Sequence, residues 1–306
     1  SCAGGLRVQF TKEIQRTTVQ GSLLTLKVEG LLGGHSGQDI DKERQNADLL
    51  MARMIQRLLK ETKGQLVSFN GGTKDNAIPR ECEASLIYES DEEAAKAEEL
   101  ACELAETYAE ELTPAEPDFS CEISCETNRT AEAIPQDAAK EFICAMRLAP
   151  NGIQKRNIKM DGFVVVSLNL GVVRTEEDRI VMIFSPRSSV ASLQEDTKER
   201  LNTLAETFGF TVSHSSEYPG WSFKEDSPVR EICKESYKEL FGEDLKIEAI
   251  HAGLECGLFS DAIKGLDAIA IGPTIANCHT PDEYLTLDSF ERFYEFLKDI
   301  LSRLAK

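Results

Sequence analysis

The 306 residues carry 53 Asp and Glu against 34 Lys and Arg, a formal net charge of −19, which argues against nucleic acid or an anionic membrane as partner. No apolar run approaches the length of a membrane span and no signal-peptide pattern is present, so a soluble, cytoplasmic protein is expected. The length suffices for one or two buried cores.

Residues 1–31 alternate as two strands, with Leu6, Val8 and Phe10 in the first and Leu24, Leu26 and Val28 on one face of the second. The loop Gly33-Gly34-His35-Ser36-Gly37 follows, where glycine permits unusual backbone angles and close approach. Asp39 to Lys60 has helical spacing (Leu49, Leu50, Met54, Ile55, Leu58), with Asp39 or Asp41 as cap and Asn46 in its first half. Strands are expected at 65–70 and 81–88, an acidic helix at 90–112 and a strand at 119–125. A similar series recurs: helix 135–148, strands 163–173 and 179–184, helix 189–208, strand 210–215. This recurrence predicts a duplicated α+β unit, each an antiparallel sheet with helices on one face.

A boundary falls near Tyr218-Pro219-Gly220-Trp221. Beyond it the pattern turns α/β: helix 228–241, strand 245–250, a short helix, strand 266–271, and a final helix opened by residues 280–283. Leu266 to Ile271, apolar but for Asp267, reads as a fully buried parallel strand. Two strands are too few for a doubly wound sheet, so the rest must come from elsewhere, if at all. His279, in the loop past that strand, is a candidate metal ligand or base; the plainer alternative is a histidine bonded to its own loop. Nine scattered cysteines, with no Cys-x-x-Cys pair, read as reduced. The chain starts without Met and enters a strand almost at once, as a segment of a longer protein would.

The stretches HAGLECG (251–257), IGPTI (271–275) and CHTPDE (278–283) resemble the end of the aminoacylhistidine dipeptidases, also called Xaa-His or cytosolic non-specific dipeptidases, which are di-zinc exopeptidases. GLLGGHSG (30–37), NAIPRE (76–81), SLNLG (167–171) and PRSS (186–189) resemble the same family in the same order. The resemblance implies an α/β catalytic domain split by an inserted lid that carries dimer contacts. Residues 1–5 would end the first catalytic segment, 6–216 would be the lid (units of about 6–130 and 131–216), and 217–306 the second catalytic half. His279 matches the last zinc ligand. His35 matches a lid histidine that polarises the scissile carbonyl, usually in the partner subunit's site. Asn76 and Arg187 match lid positions that hold the substrate, Gly253 a substrate-binding backbone position, and Glu255 in the same loop could meet the substrate's ammonium. The implied cofactors are two zinc ions in the full-length enzyme, with none or weak binding in this chain, because the motifs bearing most ligands are not in it. The implied partners are a dipeptide and a second subunit through the lid. The plainer alternatives are a turn residue for Asn76 and a surface ion pair for Arg187. For the whole chain they are a non-catalytic dimerisation module, or a deacylase or tripeptidase of the same superfamily.

Overall fold

Alternation builds the first two strands, β1 (Gly4–Glu13) and β2 (Thr17–Glu29), whose inward positions Leu6, Val8, Phe10, Leu24, Leu26 and Val28 are buried. They belong to a computed structural model that describes residues 1–158, 162–276 and 283–305. The chain continues through β3 (Gly34–His35), α1 (Ala47–Glu61), β4 (Gln65–Gly71), β5 (Ala77–Ile78), β6 (Cys82–Tyr88), α2 (Asp91–Leu112) and β7 (Ser120–Ala133). It repeats the series with α3 (Gln136–Leu148), β8 (Gly152–Asn157), β9 (Phe163–Thr175), β10 (Arg179–Ser188), α4 (Ala191–Thr207) and β11 (Thr211–Tyr218).

The two sets of strands are one sheet, where separate sheets were expected. Its order is β11-β1-β10-β9-β4-β6-β2-β7, with β8 added to β9, and every pairing is antiparallel. Each half is built alike: β1 lies between β10 and β11 as β2 lies between β6 and β7. The halves meet where β4 touches β9, at the pair Gly71 and Val173. The helices α1 to α4 and both halves of the sheet contribute to one buried core, with Phe10 on Phe184 and Phe69 on Phe142.

The helix expected over 39–60 is shorter, because Asn46 and not an aspartate caps it. The Asn46 side chain accepts from the N–H groups of Asp48 and Leu49, and residues 40–42 form a separate 3-10 turn. Strand β8 was not foreseen, because its Gln-Lys-Arg centre lacks an apolar face.

Asp48 is fully buried beside the seam. Its carboxyl fills the place a side chain would take at Gly71, next to the Cys82 sulfur. Arg174 donates to the carbonyls of Gly71 and Val173, each at 2.6 Å, and to that of Gly72. Burial pushes the Asp48 carboxyl up to about 8, with Cys82 and Arg174 pulling the other way. The folded state therefore holds the neutral acid. The unfolded chain ionises near the ordinary value, so stability should fall as pH rises from about 4 to about 8. In urea unfolding, Asp48→Asn is expected to flatten that fall, with a gain on the order of a few kcal/mol at pH 8 relative to pH 5. Parallel pH profiles for the two proteins would contradict this.

After the sheet come α5 (Pro228–Phe241), α6 (Glu255–Ala262), the paired β12 (Ile275–Ala276) and β13 (Tyr284–Leu285), and α7 (Leu287–Leu304). The strands expected at 245–250 and 266–271 do not form among the described residues. Both segments lack ladder partners, save for a parallel bridge from Ile250 to Cys2. Extended backbone becomes a strand only beside another, and here the neighbouring space is a cavity of about 710 Å³ lined by Trp221, Phe241, Ile247, Ile269, Phe293 and Phe296. Leu266 to Ile271 is accordingly half-exposed to exposed, not buried. Asp267 interrupts that run because it serves α5, accepting from Ser227 Oγ at 2.6 Å and Val229 N at 2.9 Å. The final helix begins at Leu287, later than expected. Phe296 and Ile300 pack on Cys233 of α5, while Phe290, Tyr294, Leu301 and Leu304 are exposed. No described helix is long and apolar enough to cross a membrane.

Candidate active site

The register of the sheet lines up one rung across four strands. Tyr218 on β11 pairs with Gly5 on β1, Gly5 with Arg187 on β10, and Arg187 with Ser167 on β9. Because Gly5 has no side chain, the Tyr218 ring lies across it: a Cβ there would stand 2.7 Å from the tyrosine hydroxyl. That hydroxyl accepts a hydrogen bond from Arg187 Nη1 at 2.9 Å. Arg187 is only 7 % exposed. Its Nε has no hydrogen-bond partner, and the bond to Tyr218 is its only one among the described residues. The surface ion pair considered for Arg187 is thus not what forms.

Next along the rung, Ser167 Oγ lies 2.7 Å from His251 Nε2. His251 is 6 % exposed, and its ring meets Phe163 edge-on. Burial, then the Arg187 guanidinium, lower its pKa to about 4, with His35 adding to the effect and the Val164 carbonyl opposing it. His251 is therefore neutral near pH 7 and adds no second charge beside Arg187. Its loop is tied to β1 by Ala3 N–H donating to the Ala252 carbonyl at 3.1 Å. Gly253 follows, exposed; a Cβ there would stand 2.8 Å from Tyr218 Cε2, so the ring is held between Gly5 and Gly253. Glu255 is exposed at the first position of α6.

His35 comes to this site on a separate two-stranded sheet that follows β2. Its strand β3 pairs with β5, His35 opposite Ala77, and Ser36 N–H donates to the Asn76 carbonyl at 2.9 Å. Gly33 and Gly34 take positive φ values of 60° and 139°, which glycine tolerates. His35 N–H donates to Asp39 Oδ2 at 2.8 Å, while its Nδ1 accepts from Gly37 N at 3.2 Å and Gln38 N at 3.0 Å. With Nδ1 accepting, the neutral ring carries its proton on Nε2 and is a hydrogen-bond donor there. Gly37 lies against the His251 carbonyl so closely that a side chain at 37 would overlap it. The His35 loop and the 251–255 loop of the same chain are thus in backbone contact.

Asn76 is exposed, and its neighbours are pinned. Asn169 Nδ2 donates to the carbonyls of Ala77 at 2.8 Å and Asp75 at 3.3 Å, Arg7 Nε bonds Asp75 at 2.9 Å, and Gly171 leaves room for the Asp75 backbone. Sequence reasoning left Ser167, Asn169 and Tyr218 without individual roles. A signal existed for two of them: Ser167, Asn169 and Gly171 alternate as the small and polar positions of an otherwise apolar strand. Tyr218 sat in a segment that read as a turn. His214 lies on β11, exposed and bonded to Asn202, apart from the site.

His279, the expected metal ligand, lies outside the described residues. Among the described residues no group of three or more His, Cys, Asp or Glu could hold a metal ion. They do not by themselves make a metal site. What they do make is a buried cation, a neutral histidine oriented as donor, and exposed backbone at Gly253, which suits an anionic peptide-like ligand better than any single charge would.

Comparison with known proteins places the chain in a family. The model of peptidase family M20/M25/M40 matches residues 72–303, and that of the peptidase dimerisation domain matches residues 26–117. The chain belongs to peptidase family M20/M25/M40. It is 32% identical over 309 aligned positions to the cytosol non-specific dipeptidase of Escherichia coli (strain K12), covering 99% of this chain and 62% of that protein. It superposes on the crystal structure of aminoacylhistidine dipeptidase from Vibrio alginolyticus with a TM-score of 0.91 and 33% identity, again covering 99% of this chain and 62% of the other. The chain thus spans somewhat under two thirds of the length of these relatives.

Proposed function

We propose that this chain forms the lid and second catalytic segment of a zinc-dependent dipeptidase hydrolysing Xaa-His and other dipeptides. The names of the two relatives support it. The observation that carries it is Arg187, a buried guanidinium with no carboxylate bonded to it among the described residues. A buried unpaired cation is costly, and an anionic ligand offsets that cost. The free carboxylate of a dipeptide suits the planar fork.

On this proposal Arg187 takes the substrate's carboxylate, Asn76 and the backbone of Gly253 hold its amide, and Glu255 meets its ammonium. His35 donates from Nε2 to the carbonyl oxygen as charge builds there. Two zinc ions would be held by residues outside those described, His279 among them. Residues 6–216 would be the lid and 217–306 the second half of a split α/β domain, whose remaining strands would occupy the cavity beside 245–250 and 266–274. The dimerisation model supports a homodimer through the lid, and the name of the relative from Escherichia coli supports a cytosolic location.

The 306-residue chain alone should show no hydrolysis of alanyl-histidine with zinc added, and should bind less than the two zinc ions per chain expected of the whole protein. Hydrolysis by the chain alone would refute the split catalytic domain. An inactive whole protein, with two zinc ions bound, would refute the dipeptidase assignment.

A further inference from the structure

Arg187 is one half of a pair. Its Nη1 donates to the Tyr218 oxygen at 2.9 Å, so that oxygen is already an acceptor, and the phenol's own proton is left to donate. No acceptor for it is present among the described residues. The ring has little freedom, since it lies between two glycines where any side chain would meet it. A Cβ at Gly5 would meet the hydroxyl, and one at Gly253 would meet the ring edge at 2.8 Å. A carboxylate bonded to the Arg187 fork lies within reach of a hydroxyl that is itself bonded to that fork.

We propose that Tyr218 is a second carboxylate-binding residue, its hydroxyl donating to the same terminal carboxylate that Arg187 takes. The assignment rests on the dipeptidase reading and extends it. Arg187 supplies charge and two of its donors; Tyr218 supplies one more hydrogen bond and fixes the fork's direction. Gly5, silent in sequence, makes the pair possible by leaving the space the hydroxyl occupies.

Calorimetric binding of alanyl-histidine and of its C-terminal amide to the whole protein, with a chelator present so that neither is cleaved, tests this. The wild type should prefer the acid. Arg187→Met should abolish the preference. Tyr218→Phe keeps the ring and its packing, and should weaken acid binding about tenfold, the scale of one hydrogen bond to a charged group, while leaving amide binding unchanged. Gly5→Ala, which displaces the hydroxyl without altering it, should act in the same direction. Equal weakening of acid and amide by Tyr218→Phe, or no change in either, overturns the assignment and leaves Arg187 standing. A wild type without acid preference, or an Arg187→Met variant that retains it, overturns the dipeptidase reading and Tyr218's role with it.

Discussion

Replacing His35 with alanine in the whole protein is expected to lower kcat by about a hundredfold or more, the scale of one lost oxyanion donor. kcat/KM should fall with it, because such a donor acts mainly in the transition state. The ring is oriented before substrate arrives: Gly37 and Gln38 occupy Nδ1 and Asp39 anchors the backbone. A rise in KM with kcat preserved would instead make His35 a simple binding residue. The resemblance, which implies that His35 reaches the partner subunit's site, adds a second expected result. Mixing His35→Ala with His279→Ala should restore activity, because one site of the mixed dimer then has both an intact metal site and an intact His35. No recovery above background, with subunit exchange verified by mass, would leave His35 acting within its own chain.

Arg187→Ala should raise KM by about a hundredfold, in the range seen when one member of a buried charge pair is truncated. Arg187→Lys should not restore it, because an ammonium cannot offer the fork and its shorter reach leaves Tyr218 without its donor. A dipeptide amide should be nearly indifferent to either change. Equal losses for acid and amide substrates would remove the carboxylate role.

Much of the fold was legible because it follows local rules. Strict alternation gave β1 and β2, and the series of helix, two strands, helix and strand appeared twice before any coordinates. What failed was non-local. Nothing in the sequence says that β4 and β9 meet, so two sheets were expected where one exists. Asp39 and Asp41 looked like caps on type alone, but the turn at 40–42 comes first and Asn46 holds the helix start. The apolar run 266–271 has the composition of a buried strand, yet burial depends on neighbours that the described residues do not provide. Arg187, His35 and Gly253 were named through resemblance, and the structure brings the segments that carry them to one region through the contacts of Tyr218 and His251. The rung that sets Arg187 beside Tyr218 and Ser167 is fixed by register, and register cannot be read from a glycine at position 5 or a tyrosine beside a proline.

The sheet, whose strand order repeats outward from the middle in both halves, has one backbone-paired seam and one core. Backbone pairing between the halves is confined to Gly71 and Val173, but the apolar side chains behind it run without interruption from Leu66 and Phe69 to Leu168 and Phe184. Cohesion across the middle therefore comes from side chains, the shared apolar core together with the bonds of Arg174, Thr175 and Asn70, rather than from the ladder. The duplicated units should unfold as a single cooperative block, so a substitution that destabilises one half lowers the stability of the other with it, which a single urea transition followed by probes in both halves would show.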